Sequence, residues 1–161
     1  MASPIVPVER TFQLTDPLSQ PELEAILEAA YLVVSSDRQI RAEEEAALRR
    51  VAERLAEQNR ALSGAGMAPP LENLLVELSE RKNRDGQNGR IEAVAAALPR
   101  PTTRALAYRV ACAISLSDLE THDREFEIDL ALISALGLPQ ETADEIAAEV
   151  QESLAALAQT A

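Results

Sequence analysis

Four carboxylates stand in a repeated arrangement. Asp37 is followed seven residues later by Glu44, and Asp118 seven residues later by Glu125. Carboxylate oxygens are hard donors that suit Ca²⁺, Mg²⁺ or Mn²⁺, so Asp37, Glu44, Asp118 and Glu125 are the candidate metal ligands. The spacing is not that of the twelve-residue calcium loop with glycine at its sixth position. Helix capping accounts for half of the pattern. With Arg41 and His122 as N-caps, Glu44 and Glu125 fall at the third helical position, where a glutamate closes a capping box and complements the helix dipole. Asp37 and Asp118 are different: each follows a helix C-terminus, where negative charge is unfavourable unless an Asx turn uses the carboxylate.

Other chemistry is thinner. Cys112 and His122 are the single cysteine and the single histidine, which excludes an internal disulfide, a thiolate metal cage and a histidine-rich metal site. As nucleophile and base they would need an orienting group and an oxyanion hole, and the sequence offers neither. Cys112 falls on the apolar side of its helix and reads as a buried small hydrophobe. No Gly-rich phosphate loop, serine-centred elbow or HExxH sequence is present. The expectation is a non-enzymatic protein. Arg81, Lys82, Arg84 and Arg90 surround the 83–89 segment, with Arg100 and Arg104 further on. They read first as a solvated face that offsets acidic charge, and second as a docking surface for an acidic partner.

Prolines mark the elements that must position these residues. Pro4, Pro7, Pro17, Pro21, Pro69, Pro70, Pro99, Pro101 and Pro139 all lie at helix starts or between helices, consistent with a cost of about 3 kcal/mol inside one. Apolar residues at three/four spacing predict helices over 21–35, 42–61, 70–82, 101–117, 123–136 and 140–158. A short further helix carries Ile91, Val94 and Leu98 and stops at Pro99. Ser63-Gly64-Ala65-Gly66 is a flexible link. Asn83 to Gly89 reads as a turn, because Asp-Gly and Asn-Gly tolerate left-handed backbone. Gly137 is the expected C-terminal cap of the sixth helix. Residues 1–16 form a loose or docked tail, and 17–161 a single all-α domain, a bundle of about seven helices.

The acidic motif belongs to an internal repeat with one offset of 81 residues and no gap across 26 positions. Ala30/Ala111, Ser36/Ser117, Asp37/Asp118, Glu44/Glu125 and Leu55/Leu136 are identical, and Val33/Ile114 and Val51/Leu132 are conservative. Each unit is helix, acidic turn, helix. Two such hairpins related by a pseudo-twofold axis would bring their turns to one end of the bundle.

The second unit reads Ser117-Asp118-Leu119-Glu120-Thr121-His122-Asp123-Arg124-Glu125 and closes with Leu136-Gly137-Leu138. The first reads Ser36-Asp37-Arg38-Gln39-Ile40-Arg41-Ala42-Glu43-Glu44. An apolar helix ending in Asp, a Glu seven residues on, and a helix closing near Leu-Gly-Leu together resemble the TerB-like tellurite-resistance family, over about residues 22–150. The resemblance implies a seven-helix domain of bacterial stress and metal-resistance systems, a metal held by acidic turn residues, and a protein partner in a larger assembly. The family's Asp and Glu carry over to Asp37, Glu44, Asp118 and Glu125. Where the family has glycine directly after the Asp, this chain has Arg38 and Leu119, and a left-handed backbone is costly there.

Composition sets the outer bounds. Hydrophobic residues make up 47% and aromatics 2%, so alanine and leucine fill the interior and helices approach closely. No alternating β-branched or aromatic run predicts a strand. A net charge of −12 argues against nucleic acid, which needs clustered Lys and Arg, and against anionic membrane. It permits cation binding. No apolar stretch is long enough to span a bilayer, and Met1 to Asp16 lack a signal pattern, so a cytoplasmic location is expected. The alternative to a cation-binding module is a structural helical adaptor without metal.

Overall fold

The computed structural model describes residues 12–35, 42–64, 71–116 and 123–160. Among these are seven helices and no strand: α1 Gln20–Val34, α2 Ala42–Ser63, α3 Leu71–Asp85, α4 Gln87–Ala97, α5 Pro101–Leu116, α6 Asp123–Leu136 and α7 Gln140–Thr160. The first residues of α5 and α6 stand 81 positions after those of α1 and α2 (20 to 101, 42 to 123).

Local chemistry sets the ends. Ser19 caps α1 reciprocally: the Glu22 N–H donates to Ser19 Oγ at 3.3 Å, and the Ser19 N–H donates to Glu22 Oε1 at 3.1 Å. At the end of α6, Gly137 takes φ 66°. Its N–H donates to Ser134 O, and that of Leu138 to Ile133 O, both at 3.1 Å, the double bond of a Schellman closure.

The expected turn over 83–89 is a single-residue break. Asn83, Arg84 and Asp85 finish α3, and Gln87, Asn88 and Gly89 begin α4. Gly86 alone, at φ 80°, reverses the chain. The other turn-formers are absorbed because each helix end is tied elsewhere. The Gln87 Nε2–H donates to Leu32 O at 2.8 Å, and Arg90 bonds both Asp85 and Glu28.

α1 is the central helix. Eleven of its fifteen residues are buried, Leu23 and an unbroken run from Ala25 to Val34, as expected of a helix that is apolar nearly all round. It packs more extensively on α5 than on any other element, and both helices also touch α2 and α6. α4 covers α1, and α7 covers α5.

Polar ties fix the directions. Arg100, just before α5, donates to Glu22 in the first turn of α1, with Nη2 to Oε2 at 3.0 Å, and to Pro17 O at 3.1 Å. The N-terminal ends of α1 and α5 are therefore together, and the two helices run the same way. α2 returns along α1, with Asn59 against Leu18. α6 returns along α5, with Leu136 O accepting from Arg104. The bundle thus has two poles. One gathers the C-terminal ends of α1 and α5 with the starts of α2, α4 and α6. The other gathers Ser19, Asn59, Arg100 and Leu136.

The expected tail is docked from Phe12 onward; residues 1–11 lie outside the described part. Residues 12–19 are non-helical, and Phe12, Leu14 and Leu18 join the core. No helix among the described residues is long and apolar enough to cross a membrane.

Candidate metal-binding pole

Ser35 and Leu116, the last described residues before 36–41 and 117–122, lie at the same pole, because α1 and α5 run parallel and pack on each other. Of the four candidate ligands, Glu44 is fully described. It is the third residue of α2 and only 1% exposed. A carboxylate so buried requires partners; it has at least one, and it sits at the positive end of the α2 dipole. Glu125 is likewise the third residue of its helix, α6, but its side chain lies outside the described part, as do Asp37, Asp118, Arg38, Leu119, Arg41 and His122. Among the described residues, no group of three or more His, Cys, Asp and Glu side chains is arranged to hold a metal.

Lys82 comes to this pole from α3. Its ammonium donates to the backbone carbonyl of Ser35 and to Ser35 Oγ, the latter at 3.2 Å. A cation at a helix C-terminus satisfies an orphan carbonyl and opposes the negative dipole end. Ser35 itself closes α1, its N–H donating to Tyr31 O at 3.0 Å.

The basic residues read from the sequence as a solvated or docking face are mostly internal ties. Arg90 grips Glu28 with both arms of its guanidinium, Nε to Oε2 at 2.7 Å and Nη2 to Oε1 at 2.9 Å, and reaches Asp85 Oδ2 at 2.9 Å. Arg81 lies 2.9 Å from Glu77, 3.6 Å from Glu24 and 3.7 Å from Glu28. The hydrogen bond to Glu28, opposed by burial, holds the Arg90 guanidinium above the ordinary arginine range. Asp85 is held down to about 2, first by the hydrogen bond from Arg84 and then by that from Arg90. Arg104 bonds three carbonyls, Leu98 O at 2.6 Å, Leu136 O at 2.9 Å and Ala95 O at 3.2 Å. It thereby caps the ends of α4 and α6 together. Arg84 alone matches the solvated reading, exposed beside Asp85 at 3.0 Å.

Glu28 is the residue that sequence reasoning missed. It is 2% exposed at the middle of α1. The signal was present: a lone carboxylate inside the run Ala25 to Val34 has no polar face to occupy. The cleft of about 230 Å³ above it, between α1, α3 and α4, is lined by Arg81 and Arg90, and both guanidiniums are committed to carboxylates. Cys112 is buried, as expected.

No protein-family model matches this chain, and no curated protein or solved structure matches it either.

Proposed function

We propose that the chain is a non-enzymatic module of the tellurite-resistance type, which binds one divalent cation at its acidic pole and docks a protein partner. This reading treats α1–α2 and α5–α6 as copies of one unit. One observation supports it: α1 and α5 run parallel, so the helix ends that precede Asp37 and Asp118 in the sequence lie at the same end of the bundle. Glu44 sits in the first turn of α2 at that end. The donor set is chemically suited to Ca²⁺, Mg²⁺ or Mn²⁺, since carboxylate oxygens are hard donors that these cations prefer. Asp37, Glu44, Asp118 and Glu125 would hold the ion, which would tie the two hairpins together.

A second reading, a helical adaptor without metal, is favoured by one fact. Glu44 is buried, already partnered, and at the position of a capping glutamate. Calorimetric titration with each of the three cations separates the two. The metal reading expects saturable heat from the wild type and none from Asp37→Asn/Asp118→Asn. If the wild type gives no heat with any of them, the metal reading fails and the adaptor stands.

A further inference from the structure

The segment 12–18 is held as one protein holds a peptide from another. Leu18 presents its backbone N–H and C=O to a single side chain: the N–H donates to Asn59 Oδ1 at 2.7 Å, and Asn59 Nδ2 donates to Leu18 O at 3.1 Å. Asn59 is 5% exposed. This two-point grip reproduces one rung of an antiparallel β ladder with a side-chain amide standing in for the second strand. One residue earlier on α2, Gln58 Oε1 accepts from the Leu14 N–H at 2.8 Å. These bonds read backbone and not sequence. Phe12, Leu14 and Leu18, buried among the α-helices, supply the sequence-dependent part. Backbone pairing for affinity with pockets for spaced side chains is the logic of extended-peptide recognition.

The receiving surface lies between the last turns of α2 and the first turns of α5. Thr102, Thr103 and Leu106 of α5 line it beside the segment. Among the described residues, a groove of about 410 Å³ lies beside the start of the segment on α5, lined by Phe12, Gln13, Thr102, Ala105, Leu106 and Arg109. Leu106 remains half-buried there. On the described residues, three side-chain-to-backbone hydrogen bonds from α2 and one from Arg100 to Pro17 O hold the segment. It adds no helix of its own to the bundle.

The geometry points to a peptide-docking groove between α2 and α5, occupied at rest by the chain's own residues 12–18 and open to an extended partner peptide with large apolar residues at positions i, i+2 and i+6. The internal segment is a tethered competitor. The partner's apolar spacing is that of Phe12, Leu14 and Leu18, and its backbone takes the Gln58 and Asn59 amides. This inference gives chemistry to the partner half of the reading above and stands without the cation half, so its test is run with chelator present.

The probe is a fluorescent peptide reproducing residues 12–19, titrated by anisotropy into the full-length chain. A tethered occupant acts at an effective concentration on the order of millimolar, so the wild type binds the probe weakly. Full-length Phe12→Ala/Leu14→Ala, whose own segment is weakened, should bind it at least tenfold more tightly. Adding Asn59→Ala to that variant should abolish the gain. Equal weak binding by wild type and double variant, with circular dichroism showing both folded, overturns the inference. Hydrogen exchange on the wild type gives a test free of substitutions. The Leu14 and Leu18 amides should exchange through local opening, well ahead of the Ala111 and Ala113 amides in α5. Exchange of all four only with global unfolding would show the segment to be a fixed part of the core.

Discussion

Arg90→Met is the most informative perturbation of the fold. Glu28 is 2% exposed and its two oxygens accept from Arg90 at 2.7 and 2.9 Å. Removing the guanidinium leaves a carboxylate buried against α3 and α4 with Arg81, 3.7 Å away, as the nearest cation. Breaking a buried pair on one side costs about 3–5 kcal/mol. Arg81 offsets part of this, so the lower end, about 3 kcal/mol, is expected. For a chain of this size that corresponds to a fall of roughly 6–12 °C in Tm. Urea unfolding followed by far-UV circular dichroism measures it directly. Glu28→Met/Arg90→Met should recover most of the loss, because an apolar pair of similar volume can replace a buried ion pair at little net cost. A loss below about 1 kcal/mol for Arg90→Met, the range of an exposed pair, would refute the claim that this bridge is a buried structural tie.

Other substitutions probe separate links. Ser19→Ala removes the hydroxyl that accepts from the Glu22 N–H, leaves the backbone half of the capping box in place, and should destabilise by about 1 kcal/mol in the same urea assay. Asn59→Ala strips the buried N–H and C=O of Leu18 of their partner and should cost about 2 kcal/mol, with the Leu18 amide losing exchange protection. Gly86→Ala should cost about 1–2 kcal/mol from backbone strain alone, since φ is 80° and an added Cβ would meet nothing within 4 Å. Acid acts through two carboxylates. Asp85 is held down to about 2; for Glu22, burial works upward, but hydrogen bonds from the Ser19 backbone and Arg100 bring it below its ordinary value. Both folded values are depressed, so the stability they contribute is in place above the ordinary values of 3.8 and 4.5 and is lost as pH falls through the folded values, down to about 2 for Asp85. Stability measured across that window should fall with acid for the wild type and less steeply for Asp85→Asn.

The helices were legible because their boundaries are chemical. Pro101 and Pro139 precede or open α5 and α7, and Gly137 closes α6 as expected. The 83–89 segment misled because turn propensity is local, whereas Gln87 and Arg90 are held by Leu32 and Glu28 on a distant helix. Tertiary ties also turned the basic residues from a face into internal braces. The roles of Asn59 and Gln58 were not legible, since nothing in their spacing tells that a backbone segment from 41 and 44 residues away will lie on them. The acidic motif was visible as a pattern. The burial of Glu44 was not, because a third-position glutamate is as easily solvated as enclosed.

The central proposal is that the two acidic segments, 36–41 and 117–122, serve one cation together with Glu44 and Glu125. Adding Mn²⁺ to the isotopically labelled chain and following paramagnetic broadening of its amide signals tests this most directly. At one equivalent, the expected result is selective broadening at Ser35 and Leu116, where α1 and α5 end, together with Glu44 and Glu125. Signals from Leu18, Asn59, Arg100 and Leu136 should persist, since the opposite pole is about 22 Å away along a fifteen-residue helix. Broadening confined to one hairpin, scattered over the surface, or absent would contradict the claim.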